Sequence, residues 1–280
     1  DASESEKNSS CDSYRQNSCG EFFARSLKNT REVLVNWDFL RIAAANFLQT
    51  CRTSAHLGFV AILTEALVPR RILPLGSWKI SGFYGALAVI PQICVVIAAP
   101  LVVKYGNHYL MMMSFLFSAA IGIITFFVGR GFPYLIIAFM FADSIAVHAF
   151  TPILNLCYTD FIDDDMLRNK RSSPISSTVW GMNALLTKPA QSLAPMFVVA
   201  VLNRFYYEQY KKSKSDMDYF KLDGLLNAMF ALLTLIPVVL GLLQYLTFRN
   251  YSLKDRHLTG NGKKETSFGE VFAEENLLNV

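Results

Sequence analysis

The sequence predicts an all-α integral membrane protein that crosses the bilayer six times. Three observations carry that reading. Hydrophobic residues make up 52% of the 280 and charged residues only 17%, with a mean hydropathy of +0.31; a soluble domain carries about a quarter charged. Six apolar stretches, Phe39–Leu63, Ile80–Val103, Tyr109–Val128, Tyr134–Tyr158, Ile175–Leu202 and Leu225–Phe248, total 146 residues yet hold four of the 48 charges, Arg41, Arg52, Asp143 and Lys188. Each stretch reaches the roughly 20 residues a helix needs to span a hydrocarbon core of about 30 Å. None shows the period-2 alternation of a barrel strand. A soluble enzyme, a nucleic-acid-binding domain and a disordered chain are excluded.

The elements follow in order. Residues 1–36 are rich in Ser, Asn and charge and read as a polar segment or linker. Its Cys11 and Cys19 would pair only in an oxidising compartment. Residues 37–248 form the six-helix transmembrane domain, and 249–280 a polar tail. Pro69–Ser77 connects the first two spans; Lys104–Asn107 and Gly129–Gly131 are tight turns. Asp160–Ser173 and Asn203–Gly224 read as longer connectors. The start at Asp1 rather than Met suggests a fragment or a processed chain.

An even number of spans puts both termini on one side. That side carries fourteen Lys and Arg against nine on the other, which places the termini in the cytoplasm by the positive-inside rule. The plasma membrane is expected rather than an endomembrane. The net charge of +4 says little about partners.

Polar residues inside the spans are expensive and mark where a helix faces protein or water. On the first span Arg41, Ala45, Gln49, Arg52 and His56 recur at steps of three and four, which is one helix face. Ser144, His148, Thr151 and Asn155 form such a stripe on the fourth, beside Asp143. Trp180, Asn183, Thr187 and Gln191 form another on the fifth, beside Lys188. The third and sixth spans carry no charge. Three polar and three apolar helices predict a bundle around a wet or polar interior. Two triplets, each opening on a polar helix and closing on an apolar one, are the pattern of inverted three-helix repeats.

Residues 159–195, TDFIDDDMLRNKRSSPISSTVWGMNALLTKPAQSLAP, carry a resemblance. The chain resembles the C-terminal six-helix half of a major facilitator superfamily transporter, in the branch typified by transmembrane protein 180. That branch is distantly related to the glycoside–pentoside–hexuronide:cation symporters. Asp160, Asp163 and Arg171 look like the Asp-x-x-Asp and basic residue that those symporters carry between the tenth and eleventh helices. Lys188 looks like their lysine in the eleventh helix. The resemblance implies a fold of two inverted three-helix repeats, with spans one and four lining the cavity. It also implies a gate formed by the Asp–Arg loop.

The function expected is transport of a small polar, sugar-like solute by alternating access, coupled to H⁺ or Na⁺. Arg52, His56, Asp143, His148, Asn183, Thr187 and Lys188 are the candidate cavity residues, and Asp160, Asp163 and Arg171 the candidate gate. The partners expected are the bilayer, the solute, and either an N-terminal six-helix half or a second copy, with no nucleic acid. No nucleophile–base pair, metal-ligand spacing or phosphate loop is present, and the Gly-x-Gly at Gly129–Gly131 reads as a turn. Neither an enzyme nor a resident metal or cofactor is expected. The competing reading is a non-transporting membrane protein that keeps the transporter fold.

Overall fold

A computed structural model describes residues 26–171, 173–212 and 218–253. Cys11, Cys19, most of the N-terminal segment and the tail beyond residue 253 lie outside the described residues. A helix over 26–35 leads into six long ones: α1 Trp37–Leu67, α2 Trp78–Tyr105, α3 Asn107–Val128, α4 Pro133–Arg168, α5 Ser176–Asn203 and α6 Tyr219–Phe248. A short helix, Tyr207–Lys212, precedes α6. No strand occurs among the described residues.

Local chemistry sets the helix ends. The Asn36 side chain caps α1 by accepting the Asp38 N–H at 2.9 Å. Pro133 opens α4, where its missing N–H costs nothing. Gly106 and Gly129 close α2 and α3 at φ 83°, a left-handed conformation that glycine adopts without strain. One expected connector is largely helix: α4 runs on through Asp160 to Arg168, so only a few residues link it to α5. Nothing in 160–168 breaks a helix: Phe161 and Ile162 pack into the core, and the Asp, Met, Leu and Arg that follow continue the helix.

Five helices, α2 to α6, are long and apolar enough to cross a membrane on their own composition. The remaining one of the six, α1, is the first expected span. At 31 residues α1 is long enough to cross, but Gln49, Arg52 and His56 make it too polar, and all three are buried against its neighbours.

The packing follows the two triplets. Against α1 lie α5 and α6; against α4 lie α2 and α3; α1 meets α4, and α3 meets α6 along most of its length. Exchanging the first triplet with the second leaves this pattern unchanged. The core divides into two apolar clusters. One, at the end holding the described termini, contains Phe39, Phe115, Tyr158, Phe161 and Phe248. The other contains Phe59, Leu63, Phe139, Met140 and Leu233. Between them Gln49, Arg52, Asp143, Ser144 and Gln244 form a buried polar belt.

The α3–α6 contact depends on close backbone approach. A Cβ on Gly122 would meet Val238 Cγ2 at 2.6 Å and the Thr234 carbonyl at 2.8 Å. Gly122→Ala should therefore cost about 1–3 kcal/mol through overpacking. Gly82→Ala, with nothing within 4 Å of its Cβ, should be neutral or stabilising. Thermal unfolding of both variants in detergent checks the contrast; equal melting temperatures would contradict it.

Candidate functional site

The polar belt centres on Arg52 and Asp143, which are 2% and 5% exposed. Arg52 Nη2 donates to Asp143 Oδ1, and His56 Nδ1 lies 2.7 Å from Asp143 Oδ2. An ionised carboxylate only accepts hydrogen bonds, so this contact requires a proton on His56 Nδ1. Arg52 and His56 are four apart on α1, and Asp143 comes from α4, so the cluster ties the two helices together. Around it, Gln49 donates to the Val147 carbonyl at 3.1 Å, and Gln244 of α6 donates to Gln49 at 3.0 Å. Ser144 donates to the Leu87 carbonyl of α2 at 2.9 Å. Four helices thus meet in one network. Beside it lies a cavity of about 30 Å³, lined by Arg52, His56 and Asp143 on one side and Leu233 and Pro237 on the other. Arg52 Nε has no hydrogen-bond partner among the described residues.

A second cluster joins α1, α4 and α5. Asn183 Oδ1 accepts from Asn46 Nδ2 at 2.8 Å and from the Tyr158 hydroxyl at 2.6 Å. Thr187 donates back to the Asn183 carbonyl, and the Tyr158 ring stands 5.0 Å from Trp180. Asn46, Tyr158, Gln49 and Gln244 are missing from the sequence-derived set. Amides and a tyrosine inside a span were the available signal, but only the fold shows which helices they join.

The remaining candidates separate from the belt. His148 is half-buried, its Nδ1 2.8 Å from the Ser144 carbonyl. Lys188 is exposed, about 18 Å into a helix about 42 Å long at 1.5 Å per residue. It makes no ion pair among the described residues, and Asp143 pairs with Arg52 instead. The exposed residues of α3 are apolar, among them Leu116, Phe117, Ile124 and Phe127. On α4, by contrast, Thr151, Asn155, Thr159 and Asp163 are exposed, and on α5 Ser177, Lys188 and Gln191. Within the apolar stretches themselves, Thr151, Asn155, Lys188 and Gln191 give these two helices exposed polar groups, with Leu156 and Leu185 exposed among them.

In this structure the gate candidates have the following partners. Arg171 donates to Asp165 at 2.7 Å, Glu32 at 2.6 Å and Asn29 at 2.9 Å, while Arg168 pairs with Asp164. Asp160 instead accepts from Asn107, and Asp163 is exposed. The continued helix is the reason, because it sets Asp160 about 12 Å below Arg168. Partial burial works to lower the Arg171 pKa, but the hydrogen bonds that Arg171 donates to Asp165 and Glu32 outweigh it and raise it above the ordinary value. Bonded to Asn29 and Glu32 on one side and to Asp165 on the other, Arg171 ties the 26–35 helix to the end of α4. Among the described residues no group of three His, Cys, Asp or Glu could hold a metal.

Breaking a buried ion pair on one side strands the other charge. Arg52→Leu and Asp143→Leu should each destabilise the fold by about 3–5 kcal/mol, and the double variant by much less. Unfolding in detergent reads the difference. Additive single effects would contradict the pairing.

The chain as a whole is similar to known proteins. A family model described as MFS/sugar transport protein matches residues 24–255. Transmembrane protein 180 of Gallus gallus is 24% identical over 233 residues, covering 79% of this chain and 45% of the relative. Its Mus musculus namesake is 24% identical over 246 residues, covering 81% and 46%. The chain thus spans about half the length of the curated relatives it matches. With six helices in two exchangeable triplets and a family match across all of them, the chain belongs to the MFS/sugar transport family, as a multi-pass integral membrane protein.

Proposed function

We propose that this chain is the C-terminal six-helix half of a carrier for small polar organic solutes, sugar-like in class, working by alternating access. The observation that carries the reading is the polar flank of α4 and α5 at membrane depth. Exposed Asn155, Thr159, Lys188 and Gln191 are costly against lipid but suit an aqueous path. A second six-helix body, an N-terminal half or another copy of this chain, would close that path from the other side. The non-transporting alternative has no use for such a face.

In this mechanism the belt holds α1 and α4 together so that the six helices rock as one body. Lys188 and His148 meet the solute from the open flank. Asn183 and Thr187, each 9% exposed at its margin, orient hydroxyl groups. His56 and Asp143 form the site where a coupling proton or Na⁺ would act, through the single contact that joins them. Arg52 pairs with Asp143 and touches the solute only if the belt opens. Arg171 with Asp165 and Glu32 acts as the latch at the end of α4, on the side that the Lys and Arg asymmetry favours as cytoplasmic.

Uptake of radiolabelled hexoses and pentoses into vesicles containing the whole carrier is the test. Lys188→Gln should lower uptake at least about tenfold, with partial recovery in Lys188→Arg. Unchanged uptake in Lys188→Gln would overturn the solute-binding role. No uptake of any solute by the parent would favour the non-transporting reading.

A further inference from the structure

A second feature lies on the opposite flank, away from the polar face. Between α5 and α6 runs a groove of about 450 Å³. Cys51 and Ala55 of α1 form its floor, with Leu193 and Phe197 of α5 and Leu235 and Val239 of α6 as its walls. The groove exists because α5 and α6 both pack on α1 while scarcely touching each other. Its lining is apolar throughout, so it offers nothing to hold water or a polar solute.

Depth and continuity identify the occupant. Cys51 lies about 20 Å along α1 from Trp37, and Leu235 about 20 Å back along α6 from Phe248, which is mid-bilayer depth. The groove opens onto exposed Met196, Leu242 and Leu246, an apolar surface continuous with the lipid-facing side of the bundle. An empty groove of this size would forfeit van der Waals contacts on every wall. We infer that it binds one acyl chain of a membrane phospholipid, held in place rather than exchanging freely with the surrounding lipid.

The position gives the chain a consequence. Ala55, Val198, Leu232 and Ile236 line both this groove and the small cavity beside Arg52. One layer of side chains therefore separates the lipid from the charged belt. An acyl chain there excludes water from that side and keeps the Arg52–Asp143 pair in a low dielectric, where the pairing is strong. The inference depends on the membrane setting and not on transport.

The experiment uses this chain stripped of lipid in mild detergent and titrated with 1-palmitoyl-2-oleoyl-phosphatidylcholine, read by native mass spectrometry. One tightly retained lipid per chain is expected. Ala194→Phe, which fills the groove wall, should weaken that binding at least about tenfold, while Leu243→Phe, outside the groove, leaves it unchanged. A measurement without substitution supports it: alkylation of Cys51 by N-ethylmaleimide should slow about tenfold on adding the lipid, with Cys94 unaffected. Equal lipid retention in wild type and Ala194→Phe would overturn the inference, as would unprotected Cys51. So would protection of Cys51 in a lipid-free dimer, which would make a second copy the occupant.

Discussion

A guanidinium and a carboxylate facing each other at the middle of a membrane bundle set the terms for the rest of this fold. Both Arg52 and Asp143 are buried, and neither tolerates hydrocarbon alone. Their pairing requires α1 and α4 to touch at that depth, and His56 adds a second bond to the same carboxylate. Gln49, Gln244 and Ser144 extend the requirement to α6 and α2. The two apolar clusters above and below the belt supply the seal that keeps it dry.

Two unlike surfaces follow from that centre. The outer faces of α3 and α6 are apolar and meet lipid as any spanning helix does. The flank of α4 and α5 carries Thr, Asn, Gln and an exposed lysine at the same depth, which only water or another protein body can accommodate. Helix α5 takes part in both, with Lys188 and Gln191 on one face and Leu193, Met196 and Phe197 on another. It forms the boundary between the solute side and the lipid side, and the groove beside it belongs to the latter.

Much of this was legible in the sequence, for definite reasons. A membrane span is announced by length and hydropathy, and Gly106, Gly129 and Pro133 mark helix ends by backbone chemistry alone. The common face of Gln49, Arg52 and His56 follows from helical periodicity within a single element. What stayed hidden depends on contacts between elements. The partner of Asp143 could have been Arg52 or Lys188, since spacing along one helix says nothing about its rotation against another. Asp165 rather than Asp160 meets Arg171 because α4 extends further than hydropathy suggests: once a helix leaves the bilayer, polar residues continue it without any apolar signal. The same blindness hid Asn46 and Tyr158, which matter only because Asn183 arrives from α5.

The account stands or falls on one claim, that the polar flank is wet while the opposite flank meets lipid. Single cysteines at Asn155, Lys188, Leu235 and Val239, placed in an otherwise cysteine-free whole protein and exposed to a membrane-impermeant thiosulfonate in intact vesicles, measure it directly. Labelling at 155 and 188, with none at 235 and 239, is the predicted result. Protection of 155 and 188 from both sides of the membrane would mean that the polar stripes only hold helices together, and the reading of an aqueous path would be wrong.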